Sequence, residues 1–226
     1  DKYFGNCHVM PNHALMIMTM LYAPDDFSKG QMIVNTSGWD TDCNAGNVGC
    51  LHGIMLGLDG LNMGPDWRGP IADRMLISSA DGGNSINDAV RMAYYITNLG
   101  RQLDGQKGID APKGGSQFHF SLPGSVQGFQ IVSGDGLVSS ADSSIQISSN
   151  GGEVVATSPM FATLDVLRMR TYDLMASPLI YSGQKVSARV IASQKNAGEI
   201  MVAFRMRHYG EDDVLIDCDS AIQTLK

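Results

Sequence analysis

Gly38-Trp39-Asp40-Thr41-Asp42-Cys43-Asn44-Ala45-Gly46-Asn47-Val48-Gly49 places two carboxylates two residues apart at the irregular entry to a helix. Ser37-Gly38-Trp39 breaks the preceding pattern, and the spacing predicts a helix from about Asp42 to Leu58. Ala45, Gly46, Gly49, Gly53 and Gly57 form a stripe of small residues at helical spacing along it. Each Gly costs a helix about 1 kcal/mol against Ala. So many together imply close approach of a neighbouring helix or of a ligand, and tight helix packing is the plainer of the two.

The carboxylate pair also has two readings. Asp and Thr are favoured N-caps, and an acidic group suits the positive end of a helix. Alternatively, Asp40 and Asp42 turn toward one point and offer oxygens to a hard cation such as Mg²⁺ or Ca²⁺. On the spacing alone the cap is the plainer of the two.

Working outward, the first part of the chain reads as helical. His13 to Tyr22 is apolar on every side, as expected of a helix surrounded by others. After the turn at Ala23-Pro24-Asp25-Asp26, either aspartate can cap a short helix running through Met32 and Val34. Further on, Ala80 to Asn84 is turn chemistry, and Ser85-Ile86-Asn87-Asp88 fits a capping box. It precedes an apolar face of Ile86, Ala89, Val90, Ala93, Ile96 and Leu103. Asp104 to Gly115 is Gly-rich and polar, and reads as a linker.

Beyond the linker the period changes to two. Gln117 to Leu122, Phe129 to Val132, Ser144 to Ile147, Val154 to Thr157, Gln184 to Ile191, Glu199 to Met206 and Val214 to Cys218 alternate between turn-forming clusters. That spacing predicts an antiparallel β-sandwich or jelly roll. The expected organisation is therefore a multi-domain α plus β chain, helical over residues 1–110 and a sandwich over 111–226.

A net charge of −7 argues against a nucleic-acid partner, because neutralising phosphates needs a basic face. No apolar run reaches the roughly 20 residues of a membrane span. Cys7, Cys43, Cys50 and Cys218 form no CxxC pair, which argues against a structural zinc site and leaves one bridge among the first three open. The compartment stays open between cytoplasmic and secreted. A start at Asp1 and an end at Lys226 read as those of a piece of a longer polypeptide.

The stretch Gly38-Trp39-Asp40-Thr41-Asp42-Cys43 resembles the C-terminal motif of the ADP-ribosylglycohydrolase family, which includes the dinitrogenase reductase-activating glycohydrolases. There a Gly-Gly-Asp-Thr-Asp-Thr sequence opens a long helix rich in small residues. Phe4-Gly5-Asn6, the apolar helix after His13, Pro24-Asp25-Asp26-Phe27 and Pro65-Asp66-Trp67 are similar to the flanking family segments. The resemblance covers roughly residues 3–100. It implies an all-helical fold holding a pair of Mg²⁺ or Mn²⁺ ions, with Asp40 and Asp42 as ligands. It also implies metal-assisted hydrolysis of a glycosidic bond to ADP-ribose or a related ribosyl or glycosyl substrate.

Two positions depart from the motif. Trp39 stands for the second Gly, and Cys43 for the final Thr, itself a ligand in the family. A thiol is a poor partner for Mg²⁺, so Asn44 is the alternative oxygen donor. The family's early Glu and its Thr-Asp-Asp cluster have no counterpart in this sequence. The catalytic group is therefore expected upstream of residue 1, in an N-terminal portion of the same protein or a partner chain. Thr41, Cys43, Asn44, Trp39 and His8 are the further residues expected near ligand or substrate. Trp39 either stacks on an adenine or ribose face or fills a core gap. His52 lies nearly three turns beyond Asp42 and reads as a helix-face histidine.

Leu122 to Phe129 and Ser177 to Val186 look like segments of sandwich modules that accompany glycoside-active enzymes. A carbohydrate there would need aromatic platforms, for which Tyr172, Tyr181 and Tyr209 are the candidates; packing against the helical domain is an equal reading of this region. The rival to the hydrolase is a catalytically inactive binding or scaffold protein that keeps the helical fold, a reading that Trp39 and Cys43 favour.

Overall fold

The computed structural model describes residues 2–75, 87–161, 179–193 and 198–225, and it is of mixed α and β character. Two compact units divide it, Asp1–Ile180 and Tyr181–Lys226. The expected turn over Ala80 to Asn84, together with Ser85, Ile86, Tyr172, Ser177 and Pro178, lies outside the described residues.

Three helices open the first unit: α1 (Val9–Tyr22), α2 (Phe27–Thr36) and α3 (Thr41–Leu61). Helix α1 starts four residues earlier than its apolar run suggests. His8 sits before it in extended backbone, and its Nδ1 accepts the Met10 N–H at 3.2 Å. Asp26 caps α2 through the Lys29 N–H at 2.8 Å, as the turn chemistry predicts. Helix α3 runs to Leu61, bent at Gly57, whose φ of 66° lies in the left-handed region.

The core among these helices is small: Leu15, Val34 and Val48, with Met16, Met20, Ile33, Trp39 and Ala45 packed around them. Helix α1 buries only the stripe of Asn12, Leu15 and Thr19, and leaves Ile17, Met18 and Leu21 exposed. The expectation of a helix enclosed on every side is thus corrected for the described residues. Of the small-residue stripe, Gly49 packs where α3 meets α2, whereas among the described residues nothing lies within 4 Å of a Cβ added at Gly46 or Gly57. At Gly49 an added Cβ would lie 3.2 Å from Gln31 Nε2 and 3.8 Å from Phe27. At Gly30 of α2 it would lie 2.3 Å from the fully buried His52 ring. His52 Nε2 bonds the Ala23 carbonyl at 2.7 Å, and its Nδ1 has no partner among the described residues.

Helix α4 (Ala89–Leu103) begins differently from the expected capping box. Its N-cap is Asp88, not Ser85, and one Asp88 oxygen accepts the N–H groups of Val90 and Arg91. Asn87–Asp88 (β2) pairs antiparallel with Arg74–Met75 (β1), so the four residues read as a box begin with strand. The Arg74 guanidinium is held below its ordinary value by burial, an effect that neighbouring Asp88 opposes.

Residues 117–122 were expected as a strand, and they form none. Phe120 has φ +51°, outside the β region. The Gln127 side chain accepts the N–H groups of both His119 and Phe120 at 2.8 Å, taking donors that a neighbouring strand would need. Phe118, Phe120 and Phe129 cluster on one side, with centroids 5.2–6.3 Å apart. On the other, His119 is buried against Asp88.

The remaining strands of this unit are β3 (Gln130–Ser133), β4 (Gly136–Ala141), β5 (Ser144–Ser149) and β6 (Val155–Thr157). Strand β3 pairs with β6 across a bulge, and β4 with β5. Asp142 and Ser143, both at positive φ, close β4 to β5 as a two-residue turn of the type that matches strand twist. In the second unit β7 (Ile200–Val202) pairs with β10 (Gln223–Leu225), and β8 (Arg205–Tyr209) with β9 (Leu215–Asp219). Arg205–Asp219 and Arg207–Asp217 face each other as ion pairs across that second hairpin. No strand forms over Gln184 to Ile191.

Every sheet among the described residues has two strands, so these residues form antiparallel pairs, two of them hairpins, and do not by themselves build a sandwich. The expected boundary at residue 110 is crossed by the Asp88–His119 and Arg68–Pro123 contacts, inside the first unit.

Candidate metal centre

Asp40, Asp42 and Cys43 form the one group of three metal-ligating side chains found among the described residues. One ligand atom from each lies within 4.8 Å of the others. Asp40 is the residue preceding α3, yet its side chain makes no cap hydrogen bond. The cap reading is therefore not realised at Asp40.

Asp42 lies in the first turn of α3 and is exposed. Its carboxyl is held below the usual carboxylate range, first by a hydrogen bond with the Asp40 carboxyl. The Asp42 and Cys43 backbone N–H groups add to this. The Cys43 thiol is pushed up, first by its hydrogen bond with Asp40 and then by the negative charges of Asp40 and Asp42. Two carboxyls and a thiol, with ligand atoms within 4.8 Å of one another, make an electronegative corner. A hard divalent cation suits the two carboxylates there, whereas the thiol suits it poorly.

The backbone of this corner is held from behind. The Asp40 N–H donates to the Asn6 carbonyl and to Asn12 Oδ1, each at 3.2 Å. Asn12 is buried, and its amide nitrogen donates to the Asn6 and His8 carbonyls. Asn44 turns away from the cluster and donates to Asn12 Oδ1 at 2.6 Å. Expected as an alternative oxygen donor, Asn44 is instead 1% exposed in the helix interface.

The other expected residues separate in the same way. Trp39 packs on the Leu15–Val34–Val48 core, so of its two readings the structure shows the filling of a core gap. His8 caps α1 and touches the Tyr3 ring at 4.8 Å between centroids. Thr41 is the first residue of α3 and half-buried. All four cysteines are free thiols, so no bridge joins Cys7, Cys43 and Cys50. Asn12 was missed from the sequence. Its only signal was an amide at the start of an otherwise apolar helix.

Downstream, Trp67 donates to Ser28 Oγ at 3.2 Å and stands edge-on to Phe27, closing the end of α3 against α2. No helix among the described residues is long and apolar enough to cross a membrane.

Three packed helices with an acidic corner at the start of the longest one define a helical segment with a candidate cation site. Residues 1–98 match the family model described as ADP-ribosylglycohydrolase, a family of glycohydrolases. No curated protein and no solved structure matches the chain.

Proposed function

We propose that the chain carries the metal-binding end of a hydrolase that cleaves a glycosidic bond to ADP-ribose or a related ribosyl or glycosyl substrate. The observation that carries this reading is the side-by-side placement of the Asp40 and Asp42 carboxyls, with Asp40 unused as a cap. These two residues would hold Mg²⁺ or Mn²⁺, as one of two ions in the complete site. Such ions supply Lewis-acid binding of ribose hydroxyls and lower the pKa of bound water. What this chain contributes is position. Asn12 fixes the Asp40 backbone, and the Asp42 carboxyl stays ionised at neutral pH.

Two aspartates do not complete a pair of metal sites, and the proposal includes an N-terminal portion of the same protein that supplies the rest. The apolar surface supports such a cover. Met16, Ile17, Met20 and Leu21 of α1, with Cys50 and Leu51 of α3, line an open groove of about 530 Å³. Contiguous exposed apolar surface of this kind marks an interaction site.

For the rest of the chain, the proposal keeps a division near residue 110 and a β-sandwich over 111–226, with carbohydrate as its ligand. The alternating sequence and the hairpins support the sandwich, and the half-exposed Tyr181 supports the ligand. A second reading, an inactive binding or scaffold protein, is favoured by Cys43. Its raised thiol stands where the family places a hydroxyl ligand.

Titration with millimolar Mg²⁺ or Mn²⁺, followed by the melting temperature, tests the proposal. A cation bound by the folded state raises the melting temperature by mass action, and Asp40→Ala abolishes the rise. An unchanged melting temperature in both proteins supports the scaffold reading.

A further inference from the structure

Well apart in sequence from the acidic corner, three side chains connect through hydrogen bonds to an open cleft. Ser121 Oγ lies 2.7 Å from His119 Nδ1, and His119 Nε2 lies 3.0 Å from Asp88 Oδ2. The His119 and Asp88 side chains are 1% and 3% exposed. Ser121 is half-buried and lines a cleft of about 240 Å³, together with Phe120, Leu122, Gly124, Asp142 and Ser143.

The hydrogen bonds decide the imidazole tautomer. The Ser121 backbone N–H, which can only donate, also points at His119 Nδ1 at 3.0 Å. Nδ1 therefore carries no proton, and the proton of the neutral ring sits on Nε2, facing the Asp88 carboxylate. A lone pair thus faces the serine hydroxyl while a buried carboxylate stands behind the ring. Activation of a serine nucleophile by an oriented imidazole uses that arrangement, whichever ring nitrogen faces the hydroxyl.

Asp88 is itself held firmly. Its Oδ1 accepts the first N–H groups of α4, and its Oδ2 accepts from Gln127 Nε2 at 3.1 Å. Phe120, immediately before the serine, has φ +51°. Strained backbone of this kind persists only where its surroundings over-determine it, and it clusters at functional sites.

We propose that Ser121, His119 and Asp88 form a second site that cleaves short-chain carboxylic esters. Ser121 Oγ bonds to the acyl carbon while its proton passes to His119 Nδ1. The ester C–O bond then breaks, and the leaving alcohol departs with that proton. Water attacks the acyl-serine by the same route, giving up a proton to Nδ1, and the released Ser121 oxygen takes it back. Asp88 is a positioning residue that stabilises the imidazolium through Nε2–H. When Nδ1 takes a proton, the Ser121 amide loses its acceptor and becomes available to the developing oxyanion. A cleft of about 240 Å³ restricts the acyl group to a small one, and Asp142 on its wall disfavours an anionic one.

The full chain is treated with a fluorophosphonate, adducts are mapped by peptide mass spectrometry, and p-nitrophenyl acetate hydrolysis is measured. An adduct on Ser121 is expected, lost in Ser121→Ala and formed at least about tenfold more slowly in His119→Gln. Asp88→Asn, which keeps an oxygen to cap α4, lowers kcat about tenfold or more with KM unchanged and the melting transition retained. Absence of a Ser121 adduct on folded wild-type protein overturns the proposal. So does an unchanged kcat in folded Asp88→Asn. None of these readouts depends on Asp40, Asp42 or a cation, so the two sites stand or fall separately.

Discussion

Asn44 on α3 donates its amide to Asn12 on α1 at 2.6 Å, inside an interface where both residues are buried. The same Asn12 oxygen accepts the Asp40 N–H. One side chain therefore ties two helices together and sets the backbone that presents the first carboxylate. Removing it strands the Asn44 amide and leaves the Asp40 N–H with the Asn6 carbonyl as its acceptor. Asn12→Ala is expected to cost about 1–3 kcal/mol, measured by urea denaturation. It should also weaken the Mg²⁺-dependent rise in melting temperature.

Gly30 and His52 are a tight pair across α2 and α3. A Cβ at position 30 would meet the imidazole at 2.3 Å from Cε1 and 2.9 Å from Nδ1. The ring cannot retreat freely, because Nε2 holds the Ala23 carbonyl. Gly30→Ala should destabilise the protein by about 1–3 kcal/mol through overpacking. Combined with His52→Ala, the two losses should be less than additive, as residues in contact require. Additive losses in the double-mutant cycle would contradict the packing described.

The lowered Asp42 carboxyl gives a pH dependence with a definite sign. Its folded value lies below the ordinary 3.8, so its contribution is present above 3.8 and is lost as pH falls through the folded value. Asp42→Asn removes that dependence. Below about pH 4, where carboxylates begin to protonate, the variant's melting temperature should fall less steeply than the wild type's. Because the group is exposed, the difference will be small. Parallel curves would mean that the carboxyl gains nothing from Asp40 and the helix amides.

Cys43 offers a chemical readout of the same corner. Only the thiolate is alkylated, and the thiol is pushed up by its hydrogen bond with Asp40 and by negative charge. Iodoacetamide at pH 8 should therefore modify Cys43 slowly. Asp40→Asn, which removes one of the charges, should speed the reaction, as should saturating Mg²⁺. Equal rates in wild type and variant would show that the two side chains do not meet.

Legibility in the sequence followed the range of the interaction. Asp26 was readable as a cap because the N–H it accepts is three residues away. The start of α3 and the closeness of Asp40 to Asp42 were readable because both follow from two-residue spacing at a helix entry. The alternation of Gln117 to Leu122 was real, since Phe118 and Phe120 share a cluster while His119 lies buried. It did not make a strand, because the Gln127 side chain took the backbone donors. Likewise Asp88 took the cap that the Ser85 pattern promised, being the residue directly before the first turn of α4.

By itself, the order of residues determined four helical runs, the acidic pair at the head of the third, a Gly-rich connection, and β segments beyond. Helix caps, turns and periodicity are local, and each is settled within a few residues of chain. Only the tertiary structure decided that Trp39 faces the core, that Asn44 serves Asn12 and not a cation, and that His119 meets an aspartate 31 residues away. Each outcome depends on which distant donor or apolar surface arrives at the site. Pattern along a chain states what a side chain needs, and folding alone states which partner meets the need.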